Sequence, residues 1–155
     1  MDKRFEPWPA GVIVYYDGDC ALCNWSVARC LARGVPRGVR FAPQDGELFG
    51  RLVDLRPDLA GVDSMVIQSF PGGDPDQGGS PGDPAGEIRV RSEAVIWLAS
   101  RLRGPERWLA LLPWVAPRAV LDWGYGQVAK NRQRVGRRLA ECPVPTPEQR
   151  RYFLA

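Results

Sequence analysis

The sequence predicts an α/β fold in which a mixed sheet carries a helical extension at its C-terminus. Short apolar runs alternate with segments of helical periodicity over the first two thirds of the chain, which is typical of parallel strands. Two later strand-like runs follow one another without an intervening helix and add an antiparallel edge. The last third shows helical spacing only. The 155 residues are enough for one domain with its own core.

The first predicted strand and helix are joined by a motif that contains two cysteines. The run from Val12 to Tyr16 is apolar throughout, as expected for a strand buried on both faces. A helix is predicted from Cys20 to Arg33, and Gly34 ends it. The apolar residues of this helix are spaced for one face: Cys23, Val27, Cys30 and Leu31.

The remaining strands follow from short apolar runs bounded by proline and glycine. The sequence predicts a strand over 39–42 stopped by Pro43, a helix over 47–55 that ends before Pro57, and a strand over 64–69. Residues 71–86 are rich in Gly, Pro and Asp and predict a mobile surface loop. Residues 87–91 alternate with period two, so the loop joins two antiparallel strands as an enlarged hairpin.

The C-terminal third is predicted to consist of three helices. Ser92 is the predicted N-cap of the first, whose buried face is Val95, Leu98, Ala99 and Leu102. A short helix over 106–112 stops at Pro113, and a long amphipathic helix begins at Pro117.

Two groups of side chains characterise these helices. The tryptophans predict the seam along which the helices dock on the sheet: Trp97, Trp108, Trp114 and Trp123. The outer face of the long helix is basic: Lys130, Arg132, Arg134, Arg137 and Arg138.

The organisation is that of a single domain with short ends. The predicted order of strand, helix, strand, helix, strand, strand and helix, followed by extra helices, is the thioredoxin-like arrangement. We expect residues 1–10 to form a loose leader, residues 11–143 a domain of this kind with its helical extension over 105–140, and residues 144–155 a tail. The N-terminus lacks the apolar core of a signal peptide, and no segment has the ~20 apolar residues of a membrane span. We therefore expect a cytoplasmic protein, where closely spaced cysteines indicate redox chemistry or metal binding.

Composition and charge exclude several classes of function. The chain has no histidine, which excludes Ser-His-Asp and Cys-His catalysis and His-ligated metals. The net charge of +3 is too small to indicate nucleic acid, and we expect none as a partner. Residues 118–155 nevertheless carry 8 basic and 3 acidic side chains. This basic segment favours contact with a membrane surface or an acidic partner protein.

The segment from Asp17 to Cys23 carries the chemistry that the sequence predicts. Its two cysteines, Cys20 and Cys23, are separated by two residues at the start of a predicted helix. Unpaired N–H groups and the helix dipole at that position lower the pKa of a thiol and favour the thiolate. We expect Cys20 to attack a disulfide, Cys23 to resolve the mixed disulfide, and no bound cofactor to be required.

Other interpretations of the cysteines and of the neighbouring carboxylates remain open at this point. A metal site at Cys20 and Cys23 lacks a second cysteine pair, because Cys30 lies on the core face and Cys142 stands alone. Cys142 is then a structural thiol or a third redox partner. Asp17 either builds the turn or exchanges a proton with Cys23, whereas Asp19 is a candidate helix cap.

Several motifs together resemble the DCC family of thiol-disulfide oxidoreductases. The first is the Asp-x-x-Cys-x-x-Cys of Asp17, Cys20 and Cys23. The helix start Ser92-Glu93-Ala94 resembles the Ser-x-Ala segment of that family. The C-terminal part is also similar, through Pro113, Asp122, Tyr125, Asn131, Arg132 and Cys142. The resemblance covers about residues 12–143 and implies a thioredoxin-like fold.

Two features depart from the broader thioredoxin pattern. Ala21-Leu22 stand between the cysteines, and Val62-Asp63-Ser64 precede the third strand where related enzymes place a proline. The leading hypothesis is dithiol–disulfide exchange with a protein or small-molecule disulfide and a reductant. The alternative is a non-catalytic interaction module that uses the basic C-terminal helix and has structural or metal-binding cysteines.

Overall fold

The computed structural model describes residues 11–18, 21–70, 85–131 and 145–154. In chain order the elements are β1 (Val12–Tyr16), α1 (Ala21–Arg33), β2 (Val39–Pro43), α2 (Glu47–Leu55), β3 (Val66–Ser69), β4 (Glu87–Val90), α3 (Arg91–Ser100), α4 (Leu112–Val115) and α5 (Arg118–Lys130). Short 3₁₀ segments cover Pro57–Leu59, Pro105–Leu111 and Gln149–Tyr152. Most predicted elements are therefore confirmed to within one or two residues.

The strands form one mixed sheet in the order β2-β1-β3-β4. The first pair, β1 and β2, is parallel, with Tyr15 opposite Ala42. The strand β3 is antiparallel to both of its neighbours, and its residue Val66 lies opposite Tyr15 on one side and Val90 on the other. This order and polarity confirm the predicted thioredoxin-like mixed sheet with a C-terminal helical extension.

Alternation along the strands divides the core into two clusters, one on each face of the sheet. Val14 faces α1 and α3, where it packs in a cluster that includes Cys23 and Leu98. Ile13 and Tyr15 face α2 and its residue Leu52. The apolar run of β1 is explained by this arrangement, because both faces of the strand are covered.

A buried polar network ties the β3–β4 hairpin to the central strand. The Tyr15 hydroxyl donates to Gln68 Oε1 at 2.8 Å, and Gln68 Nε2 donates to the Ala85 carbonyl at 2.9 Å. Burial raises the pKa of the Tyr15 hydroxyl. Ala85 itself is buried. The predicted loop over 71–86 is thus packed at its last residues, while residues 71–84 lie outside the described part of the chain.

The segment predicted as a tail pairs with the outer strand β2. Phe153 forms a parallel bridge with Phe41, and the Leu154 amide donates to the Phe41 carbonyl at 2.7 Å. The Phe153 ring lies 5.5 Å from the Phe41 ring and 6.2 Å from the Tyr16 ring, measured between centroids. Residues 145–154 therefore cover part of the side of β2 that faces away from β1.

Two predicted helix boundaries are wrong. Ser92 is not an N-cap, because α3 already begins at Arg91, whose φ of 55° turns the chain out of β4 one residue earlier. The Ser92 hydroxyl instead donates to the Asp122 carboxylate of α5. Pro113 does not stop a helix either, since it lies in the first turn of α4, where a proline needs no amide partner.

The predicted tryptophan seam is also wrong for three of its four residues. Trp97 is partly buried against the core, but Trp108, Trp114 and Trp123 are 68%, 88% and 67% exposed. The helical period explains the error at α5. Partly buried Leu121 faces α3, and two residues further along a helix the side chain points about 200° away.

A buried carboxylate connects the extension to α1. Glu106, in the 3₁₀ segment after α3, is 7% exposed and pairs with Arg29 and Arg33 of α1. Hydrogen bonding to its own backbone amide and the two guanidinium groups lower the pKa of the Glu106 carboxyl. The ionised form is consequently favoured by folding.

We predict that Glu106→Gln destabilises the protein in a pH-dependent way. A lowered folded-state pKa stabilises the protein above the unfolded value of ~4.3, and this contribution is lost as the pH falls through the folded value. The variant should melt at a lower temperature than the wild type at pH 7, with the difference shrinking in acid. Glu93→Gln, which removes an exposed pair with Arg118, is the control. Equal losses in both variants, or a difference that is constant with pH, would contradict this account.

Candidate functional site

The two motif residues that the structure describes lie at one edge of the sheet. Asp17 follows the last residue of β1 directly, and Cys23 is the third residue of α1. Because β3 is antiparallel to β1, the residues before Val66 run beside Tyr16 and Asp17. The ends of β1, β2 and β4 and the start of β3 therefore converge at this edge.

Gln44 holds three of these segments together. Its backbone amide donates to the Tyr16 carbonyl at 3.0 Å, and its side-chain Nε2 donates to the Ser64 carbonyl at 2.6 Å. Ser64 is buried. Gln44 thus fixes the position of the segment before β3 against the end of β1. Nothing in the local sequence indicates this role, because both partners are distant along the chain.

Asn24 fastens the loop that leads into α1. Its side-chain Nδ2 donates to the Gly18 carbonyl at 2.7 Å, which spans the segment containing both Asp19 and Cys20 in the sequence. Asparagine is a poor residue for a helix interior, and one near a helix start indicates a side-chain bond to the backbone. That signal was present in the sequence, beside the second cysteine, and was missed.

Cys23 is fully buried. It packs in the cluster that α1 and α3 form on the sheet, together with Val14 and Val27. Asp17 is partly exposed at the end of β1. Cys20 and Asp19 lie outside the residues that the structure describes. The fold accordingly places Asp17 before, and Cys23 after, the position that the sequence gives to Cys20.

The other cysteines do not join this arrangement. Cys30 is fully buried two turns further along α1, as its place on the predicted core face requires. Burial raises the pKa of the Cys30 thiol to about 12, so its thiolate is scarcely populated near neutral pH. Cys142 is not among the described residues. Within the described ranges, no group of three or more Cys, Asp or Glu side chains could hold a metal ion.

Two segments that carried the family resemblance meet at the junction of α3 and the extension. Ser92 bonds to Asp122, and Glu93 pairs with Arg118 at 2.6 Å. Beside them lies a cavity of about 400 Å³, whose lining includes Ser92 and Pro113. These polar contacts fasten α5 to the start of α3.

The fold and this edge define a thioredoxin-like protein with a Cys-x-x-Cys motif between its first strand and first helix. The chain belongs to the DCC1-like thiol-disulfide oxidoreductase family, whose model matches residues 14–138. It is similar to the uncharacterized protein YuxK of Bacillus subtilis (strain 168), with 28% identity over 142 residues that cover 92% of this chain and 93% of that protein. No solved structure matches the chain. Among the described residues, no helix is both long and apolar enough to cross a membrane.

We predict that Asn24→Ala changes the reactivity of the motif more than it changes stability. One net hydrogen bond contributes about 0.5–1.5 kcal/mol, and the better helix propensity of alanine offsets part of that loss. Freed from its tether to Gly18, the loop should alter the rate at which iodoacetamide alkylates Cys20. Asn131→Ala is a matched control, because Asn131 Nδ2 makes the same kind of bond to the Gln127 carbonyl at the end of α5. An unchanged alkylation rate in the Asn24 variant would show that the tether has no role in the motif.

Proposed function

We propose that the protein catalyses dithiol–disulfide exchange, with Cys20 as the attacking and Cys23 as the resolving residue. The observation that carries the proposal is the complete burial of Cys23, the second cysteine of the motif, in the first turn of α1. A resolving thiol needs to reach only its neighbour in the motif, so burial suits it, whereas an attacking thiol must meet the substrate. Membership of the DCC1-like family supports the same chemistry.

The exchange takes place in two displacement steps. The Cys20 thiolate attacks one sulfur of the substrate disulfide, forming a mixed disulfide and expelling the other substrate sulfur as a thiolate that takes up a proton. The Cys23 thiolate then attacks the Cys20 sulfur and expels the second substrate thiolate. The substrate gains two electrons and two protons, and the protein is left with a Cys20–Cys23 disulfide. A reductant of the thiol class restores the dithiol.

The start of α1 supports the role of Cys20. The helix runs for 13 residues from Ala21, and its first turn contains no acidic side chain. Its unpaired N–H groups therefore favour negative charge on a group that precedes them. Because Cys20 immediately precedes Ala21 in the sequence, we assign the reactive thiolate to it.

We propose that the carboxylate of Asp17 accepts the proton of the Cys23 thiol. A buried thiol must lose its proton before it can attack, and water reaches a fully buried sulfur poorly. Asp17 directly follows β1, and three residues of the sequence separate it from the start of α1. If Asp17 instead only builds the turn after β1, its replacement should unfold the protein rather than slow the resolving step.

We predict opposite outcomes for the two cysteine variants. Cys20→Ser should abolish exchange, whereas Cys23→Ser should still attack and accumulate mixed disulfides that dithiothreitol releases. Mass spectrometry after incubation with a disulfide substrate would measure both. Cys30→Ala is the control, because its thiol is buried outside the motif, and it should retain exchange.

Two results would contradict these assignments. Accumulation of mixed disulfides on Cys20→Ser would reverse the roles of the two cysteines. Unaltered exchange in both motif variants would overturn the proposed function and favour the non-catalytic interaction module.

We predict that Asp17→Asn slows resolution without unfolding the protein. Loss of the carboxylate removes the proton acceptor, so mixed disulfides should form at the wild-type rate and decay more slowly, by about 10²-fold or more. Stopped-flow mixing followed by acid quench separates the two steps. Asp45→Asn is the matched control, since Asp45 is an exposed carboxylate two residues beyond β2 at the same sheet edge. Unfolding of the Asp17 variant would indicate the turn-building role, and unaltered decay would exclude proton transfer.

A further inference from the structure

The helical extension exposes an unusual amount of apolar side-chain surface. Six large apolar residues of the described chain are more than half exposed, and all lie between residues 108 and 123. We call these residues the apolar surface: Trp108, Leu111, Trp114, Val115, Val120 and Trp123. Single exposed apolar residues are common, but a concentration of this kind marks an interaction site.

The residues of the apolar surface on α4 and α5 lie on the solvent-facing sides of these helices. Val120 and Trp123 are three residues apart on α5 and so share one helical face, whereas Asp122, which bonds to Ser92, lies outside that face. Trp114 and Val115 end the short α4 and are 88% and 79% exposed. Indole side chains, which have an apolar body and one N–H donor, are enriched where hydrocarbon meets water.

The exposed charge in this stretch of the chain is mainly positive. Between residues 101 and 131 the exposed charged side chains are Arg101, Arg103, Arg107, Arg118 and Lys130. The two carboxylates of this stretch are already engaged, since Glu106 is buried against Arg29 and Asp122 accepts from Ser92. The stretch that carries the apolar surface is thus predominantly cationic, and of its cations Arg118 is paired with Glu93 of α3 and lies near Asp122.

We propose that the apolar surface docks on an anionic lipid bilayer. Tryptophans would enter the interfacial region while the neighbouring arginines meet lipid phosphates, with each basic residue contributing about 1 kcal/mol near such a surface. Docking of a second copy is disfavoured by the same charges. A symmetric dimer places a patch against itself and would bring the arginines of the two copies together. Binding at the surface needs neither a membrane-spanning helix nor either motif cysteine.

The test is co-sedimentation of the full-length protein with lipid vesicles under reducing conditions. Binding is expected to vesicles of phosphatidylcholine mixed with phosphatidylglycerol, to weaken in high salt, and to shift tryptophan emission to the blue. Pure phosphatidylcholine vesicles should bind at least about tenfold more weakly, because several cations lose their partners.

Variants locate the docking surface. Trp114→Ser combined with Trp123→Ser, and separately Arg107→Glu, should each lower binding by about tenfold or more. Arg56→Glu is the matched charge reversal, because Arg56 follows α2, which packs on the opposite face of the sheet, and pairs with Asp58 two residues away. It should bind as the wild type does.

Several results would overturn the proposal. These are equal binding to both kinds of vesicle, binding that neither surface variant weakens, or no binding at all. A protein that sediments as a dimer and becomes monomeric in the tryptophan variant would identify a second copy as the occupant instead. Strong protection of the tryptophans from acrylamide in the free protein would show that the chain itself covers the surface.

Discussion

The packing of the inner face of α1 on the sheet is the constraint on which the rest of the structure depends. Cys23, Val27 and Cys30 occupy successive turns of that face, and all three are buried against β1 and its neighbours. One motif sulfur is therefore part of the hydrophobic core. Any chemistry at Cys23 takes place inside the packed protein, while the N-terminus of the helix stays at the sheet edge. Packing and reactivity are consequently coupled in one helix.

Polar contacts position the parts that apolar packing leaves free. Gln44 and Asn24 tie the loops at the sheet edge to one another and to α1. Ser92 with Asp122, and Glu106 with Arg29, fasten the extension to α3 and α1. Because these attachments are polar and involve few side chains, the extension is held in place without burying Trp108, Trp114 and Trp123. Because the extension buries few of its apolar side chains, the apolar surface that we propose as the lipid-binding site stays exposed.

The elements that could be predicted from the sequence are those that residues close together in the chain determine. The continuous apolar run of β1, the helical spacing of α1 and the glycine at position 34, whose φ is +95°, all act over a few residues. The thioredoxin-like order followed from the succession of these elements. The predictions that failed depended on tertiary context. The positive φ of Arg91 placed the helix start one residue before Ser92, and only the placement of α5 decided that Leu121 rather than Trp123 would face α3.

The site was predictable to a different extent. Asp17 and Cys23 lie at a strand end and a helix start, as the motif indicated. Gln44 acts through partners 20 or more residues away, which no single-sequence pattern reveals.

The central claim is that Cys20 and Cys23 form one reversible dithiol–disulfide couple. Its most direct test is equilibration of the wild-type protein in glutathione buffers of graded potential, followed by acid trapping and peptide mass spectrometry. We expect a single transition in which the ratio of oxidised to reduced protein changes tenfold for about every 30 mV, as for a two-electron couple. The oxidised form should lose the mass of two hydrogen atoms and link Cys20 to Cys23, with Cys30 still reduced. A motif that stays reduced at every potential, or a disulfide that links a different pair of cysteines, would contradict it.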